Sequence, residues 1–169
     1  MSADSARPVE ALYDEHHPSL QRYLARLTGD PELAADVAQE AFVRLLEHHP
    51  VGSHARPWLF RVATNLVRDA ARRRKTRRRL GTPERAMRSY SDPPGSPEDA
   101  VDRVTARSMI RHALDELSPK EQKALLMREE GFKHREIAEA LGTTTGSVGT
   151  LLSRALKKAA RGLAAAQEA

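Results

Sequence analysis

Leu12, Leu20, Leu24 and Leu27 recur at helical spacing, with Tyr13 and Tyr23 nearby. They predict a first helix from about Pro8 to Leu27, with Pro18 inside it as a point of kinking or interruption. Thr28-Gly29 ends that helix, and Asp30-Pro31-Glu32 opens a second. Aspartate suits an N-cap, and proline is preset for the first helical turn. The second helix carries Leu33, Val37, Ala41 and Leu45, with Phe42 and Leu46 on the neighbouring row, and ends near His48-His49-Pro50. After a short loop, Val51 to Ala55, Arg56-Pro57-Trp58 opens a third helix. Its apolar face is Leu59, Val62, Ala63, Leu66 and Ala70, and it runs on into Arg72–Arg79.

Gly81 to Asp99 breaks the pattern with four prolines, two glycines and several serines, as a flexible linker does. Helical periodicity returns with Val101, Val104, Met109, Ile110, Ala113, Leu114 and Leu117. Ser118-Pro119-Lys120-Glu121 is a capping box with proline at the first helical position. The helix it starts passes through Ala124, Leu125, Leu126 and Met127 to Gly131. A short helix over 135–141, a tight turn at Gly142-Thr143-Thr144 and a longer helix from Gly146 to about Leu163 follow. The expected fold is all-α. Two small helical domains, at 8–79 and 101–165, are joined by a flexible linker at 80–100.

Composition fits small helical units: 169 residues, 30% charged, 40% hydrophobic and only 4% aromatic. With no cysteine, disulfides, Cys-ligated zinc and a thiol nucleophile are excluded. No apolar run approaches the ~18 residues of a membrane span, and the N-terminus has no signal-peptide core, so a cytoplasmic protein without membrane insertion is expected. The net charge of +5 is unevenly placed. Nine acids stand against four arginines from Met1 to Pro50, whereas ten bases stand against one acid, Asp69, from Arg56 to Arg79. Acidic and basic surfaces in succession suggest two different partners.

Three stretches could carry function. Asp36, Gln39 and Glu40 share one helix patch at i, i+3 and i+4, a pattern that alone is usually a solvated face. Arg61, Asn65, Arg68, Arg72 and Lys75 form one face of the third helix at steps of four, three, four and three. Seven of the eight positions from 72 to 79 are Arg or Lys, a density that favours a nucleic-acid backbone. Trp58, Phe60 and Asn65 add groups able to stack on or hydrogen-bond to unpaired bases, although a Trp at a helix start is more often core. Residues 132–155 have the pattern of a helix-turn-helix. Ile137, Ala138 and Leu141 pack its first helix; Val148, Leu151 or Leu152, and Ala155 seat the second. Thr144, Thr145, Ser147, Thr150 and Arg154 are left to face a major groove. The bland alternative is a helical hairpin within a bundle.

Together these segments resemble the extracytoplasmic-function (ECF) sigma factors of bacterial RNA polymerase across nearly the whole chain. Asp36-Val37-Ala38-Gln39-Glu40-Ala41-Phe42, within Leu33 to Leu46, is similar to the region 2 helix that docks on the polymerase clamp. Pro57 to Asp69 is similar to the segment that opens and reads the minus-ten element. Leu114 to Gln122 and the helix-turn-helix resemble region 4, which binds the minus-thirty-five element. The resemblance implies a transcription initiation factor, not an enzyme, with core polymerase (clamp of the largest subunit, flap of the second), promoter DNA and an anti-sigma factor as partners. It places the protein in the cytoplasm, on the nucleoid when bound to polymerase. Core docking is expected from Asp36, Gln39, Glu40, Phe42 and Arg44. Minus-ten contacts are expected from Ser53, His54, Arg56, Trp58, Arg61, Asn65, Arg68, Arg72 and Arg73, with loop 51–55 as the pocket for a flipped base. Minus-thirty-five contacts are expected from Thr144, Thr145, Ser147, Thr150, Arg154 and Lys157. The chain departs from the family at Gly149 and Leu151, where Lys or Arg is common, and at Lys133, where a Ser or Thr cap is common.

Neither His16-His17 nor His48-His49 can chelate simply, because helix neighbours point about 100° apart, so no metal and no cofactor are expected. No nucleophile–base arrangement or phosphate loop stands out. The alternative function is a stand-alone helix-turn-helix regulator of duplex DNA, which accounts for residues 118–163 but not for the first half.

Overall fold

The computed structural model describes residues 8–48, 50, 52–81 and 97–168. Among them every regular element is helical: α1 (Val9–Thr28), α2 (Pro31–His48), a short 3-10 turn (Gly52–His54), α3 (Ala55–Arg79), α4 (Pro97–Asp115), α5 (Pro119–Glu129), α6 (His134–Leu141) and α7 (Thr145–Glu168). The chain divides into two compact units, residues 1–90 and 91–169. Most of the expected linker, together with His49, Val51 and the side chain of Val101, lies outside the described residues.

In the first unit α1, α2 and α3 pack against one another. The core is Leu12, Leu20, Tyr23 and Leu24 of α1, Val37, Ala41 and Leu45 of α2, and Leu59, Phe60 and Ala63 of α3. Pro18 does not interrupt α1, which runs unbroken to Thr28. The buried row Leu20, Tyr23 and Leu24 continues immediately beyond it and holds the second half of the helix on the core. Gly29 ends α1 at φ 66°, in the left-handed region that glycine enters without steric cost. Asp30 is the N-cap expected of it: its Oδ1 accepts the backbone N–H groups of Glu32 and Leu33, both at 3.1 Å.

The second unit packs α4, α5 and α6 on the long α7. Leu126, Met127, Phe132, Ile137, Val148 and Leu152 form its core, so Leu152 rather than Leu151 is the deeply buried seat of α7. The Ser118 capping box is complete: Glu121 N–H donates to Ser118 Oγ (3.3 Å), and Ser118 N–H donates to the Glu121 carboxylate (2.9 Å). At Lys133 only the return half is chemically available, because an ammonium has no lone pair; the Lys133 N–H donates to Glu136 at 2.7 Å. The apolar row expected of α4 is only partly used. Ala113 is buried where α4 crosses Gly162 of α7, but Val104 and Ile110 are 65% and 54% exposed.

Candidate functional site

Three exposed surfaces stand on these helices. On α2, Asp36, Gln39 and Glu40 project into solvent while Val37, Ala38 and Ala41 face the core. The Arg44 guanidinium Nε lies 2.9 Å from Glu40 Oε1, an i,i+4 pair. Both side chains are more than 40% exposed, so the pair is worth only about 0.3–0.5 kcal/mol and yields readily to an incoming cation. Phe42 corrects the expectation of a docking contact: it is 5% exposed, with its ring centroid 4.8 Å from that of Tyr13. It supports the patch from beneath. Val43 and Leu46, missed by the sequence reading, are 44% and 49% exposed beside the acidic patch. For Val43 the signal was available, since it falls outside the row set by Val37, Ala41 and Leu45.

Ser53 and His54 are exposed in the 3-10 turn that leads into α3. Arg56 and Trp58 are half-buried, and the Trp58 ring lies 5.5 Å from the His48 ring at the end of α2. Trp58 therefore presents only part of its surface to a ligand. Phe60 corrects another expectation. It is wholly buried, 5.1 Å from the Tyr23 ring, and cannot stack on a base. Arg61, Asn65, Arg68 and Arg72 are all exposed and fall on one line along the helix. Arg73 is exposed too, but sits about 100° around the helix from Arg72, off that line.

Buried hydrogen bonds tie the frame beneath this face. The Thr64 hydroxyl donates to the Phe60 carbonyl at 2.7 Å. Its single proton is thereby used, so the 2.9 Å contact with Tyr23 is a donation from the tyrosine hydroxyl. Burial pushes the Tyr23 hydroxyl well above its ordinary titration range.

In the helix-turn-helix, Gly142 closes α6 at φ 64°, with the Thr143 N–H donating back to the Ala138 carbonyl at 2.9 Å. Thr144 then caps α7: its Oγ1 accepts the Ser147 N–H at 3.2 Å, and the two hydroxyls are 2.7 Å apart. Thr144, Thr145, Ser147, Thr150, Arg154 and Lys157 are all exposed. The helical repeat gathers Ser147, Thr150, Arg154 and Lys157 on one side of α7 and sends Thr145 to another. The same side carries exposed Arg161, with exposed Ser153 at its edge; the sequence reading missed both. On α7, the Lys158 Nζ reaches the buried Glu121 carboxylate at 2.8 Å.

Comparison with known proteins places these surfaces in a family. Residues 12–78 match the family model for Sigma-70 region 2, and residues 107–158 match that for Sigma-70, region 4. The chain is 37% identical over 162 residues to the ECF RNA polymerase sigma factor SigL of Mycobacterium tuberculosis, covering 92% of this chain and 89% of the relative. The chain belongs to the ECF sigma factors. Another relative, the RNA polymerase sigma factor CarQ of Myxococcus xanthus, is 28% identical, with 88% of this chain and 85% of CarQ covered. The fold of this sigma factor is similar to that of RpoE from Bartonella quintana, solved with the anti-sigma factor NepR (TM-score 0.66, 19% identity, 91% of this chain and 95% of that one). It is similar as well to CnrH, solved with the cytosolic domain of CnrY (TM-score 0.66, 23% identity, 93% and 88% covered). The acidic patch and the basic face of α3 both lie within the region 2 match; the helix-turn-helix lies within the region 4 match up to Lys158.

Proposed function

We propose that this sigma factor docks on the clamp of core RNA polymerase through Asp36, Gln39 and Glu40, with Val43 and Leu46 supplying an apolar margin. Exposed carboxylates meet basic partner groups, and the flanking apolar area is removed from water on docking. The turn at Ser53 and His54, with the exposed edge of Trp58, receives an unpaired base of the melted minus-ten strand. Arg61, Asn65, Arg68 and Arg72 hold the strand and the duplex above it. Thr150, Arg154 and Lys157, with Ser147 at the start of α7, face the minus-thirty-five groove, and the second unit also meets the flap of the second polymerase subunit. The chain contributes binding and melting, and the polymerase contributes the chemistry. Its place of action is the cytoplasm, on the nucleoid when bound. An anti-sigma factor holds it in check, a reading supported by the similar fold of RpoE, which was solved with one.

The observation that carries this reading is the succession of an exposed acidic face on α2 and an exposed line of Arg61, Asn65, Arg68 and Arg72 on α3, both within residues 12–78. A stand-alone helix-turn-helix regulator has no use for either. The test is a complex with purified core polymerase, followed by permanganate reactivity of thymines on a promoter fragment. The expected result is a stable complex and reactive thymines upstream of the start site. Failure to bind core would contradict the reading.

A further inference from the structure

The line of bases on α3 does not stop where the packed bundle stops. The buried residues of α3 are Ala55, Pro57, Leu59, Phe60, Ala63 and Thr64, and none follows Thr64. The helix nevertheless continues for fifteen residues, to Arg79. At about 1.5 Å per residue, that is roughly 22 Å of helix beyond its last buried side chain. Successive steps of four, three, four, three and four place Arg61, Asn65, Arg68, Arg72, Lys75 and Arg79 within about 40° of one line. All six are exposed. Arg73 and Arg77 are equally exposed, but lie more than 100° around the helix from that line.

We propose that Lys75 and Arg79 extend the DNA interface of α3 onto the phosphate backbone of duplex DNA upstream of the melted segment, as a sequence-independent anchor. The inference rests on the sigma reading above and adds to it a surface and two residues. Continuity supplies the first reason. Lys75 and Arg79 prolong the line that Arg61, Asn65, Arg68 and Arg72 begin, so a nucleic acid on the first part lies beside the second. Length supplies the next. Arg61 to Arg79 spans about 27 Å of helix axis, comparable to ~8 base pairs of duplex at about 3.4 Å each. Chemistry decides between occupants. From Arg72 to Arg79 every residue is basic except Thr76, so the arm has no apolar face to lay into a membrane interface. It carries no aromatic ring to stack on single-stranded bases, which points to paired, phosphate-lined DNA.

The test compares two double variants with the same change in charge. Lys75→Gln/Arg79→Gln removes two of the five basic residues on the line; Arg73→Gln/Arg77→Gln removes two off it. Each full-length chain is assembled with core polymerase. Affinity for a duplex promoter fragment, chosen by run-off mapping with the parent, is measured between 50 and 200 mM KCl. Each lost phosphate contact lowers the magnitude of the log K against log[salt] slope by about 0.9. The on-line pair is expected to lose about 1.8 and the off-line pair less than half of that, with start sites unchanged in both. Equal losses would show a diffuse field and overturn the proposal. No loss in either pair would overturn it as well and point to RNA or another polyanion as the arm's partner. A parent holoenzyme that forms no promoter complex would overturn the underlying sigma reading, and this inference with it.

Discussion

Lys158 Nζ and the Glu121 carboxylate meet at 2.8 Å across 37 residues of sequence, joining α7 to the start of α5. Glu121 also accepts the Ser118 N–H, so one carboxylate both completes a helix cap and ties α5 to α7. The glutamate side chain is 6% exposed and the lysine side chain 36%. The Lys158 hydrogen bond, then the Ser118 N–H, hold the Glu121 carboxyl below its ordinary value of 4.5, against the opposing effect of burial.

That direction gives a pH dependence. A carboxyl whose folded pKa is lowered stabilises the fold above its unfolded pKa, and the contribution is lost as pH falls through the folded value. Glu121→Gln is expected to lower the melting temperature of the chain at pH 7 and to flatten its decline below about pH 4.5. Lys158→Met is expected to cost about 1–3 kcal/mol at pH 7, because it leaves a buried carboxylate with only its Ser118 partner. Thermal melts from pH 3 to 7 check both. Parallel curves for parent and Glu121→Gln would contradict the assignment.

Gly162 and Gly149 offer a contrast on one helix. A Cβ at Gly162 would stand 2.9 Å from the Ala113 Cα, so α4 and α7 cross there without room for a side chain. A Cβ at Gly149 meets nothing within 4 Å. Gly162→Val is expected to destabilise the second unit by about 1–3 kcal/mol through overpacking. Gly149→Ala is expected to stabilise it by up to about 1 kcal/mol through helix propensity alone. Urea denaturation of each variant checks the opposite signs.

The Tyr23–Thr64 bond predicts an asymmetry in the first unit. Thr64→Val strands a buried tyrosine hydroxyl and is expected to cost about 1–3 kcal/mol. Tyr23→Phe leaves the Thr64 hydroxyl bonded to the Phe60 carbonyl and is expected to cost about 1 kcal/mol or less. A double-mutant cycle in urea checks the order, with Tyr23→Phe/Thr64→Val milder than Thr64→Val alone.

Helix boundaries were the most legible part of the structure, because they are written in local chemistry. Asp30, the Ser118–Glu121 box and Gly142 each act within four residues of themselves. What lay across the fold was not legible. Phe42 and Leu46 share a row on α2, yet Tyr13 of α1 covers the first and leaves the second exposed. Val104 and Ile110 carry the same apolar signal as Ala113, but of the three only Ala113 is buried, against Gly162 of α7. The polar faces of α2 and α3 were readable from spacing alone, since exposure follows once the buried row is known. Ser153 and Arg161 were missed because the phase of α7 depends on which leucine goes inward, and that is Leu152.

The acidic patch predicts a separation of binding from folding. Asp36 is exposed, so Asp36→Arg is expected to leave the melting temperature within a few degrees of the parent while weakening core polymerase binding at least tenfold. Competition binding against the parent chain measures this, and equal affinity would remove Asp36 from the docking surface.

Run-off transcription with purified core polymerase on genomic fragments, followed by start-site mapping, tests the central claim most directly. The account predicts discrete start sites that require the chain and disappear with Asp36→Arg. Start sites that are the same with and without the chain would contradict it.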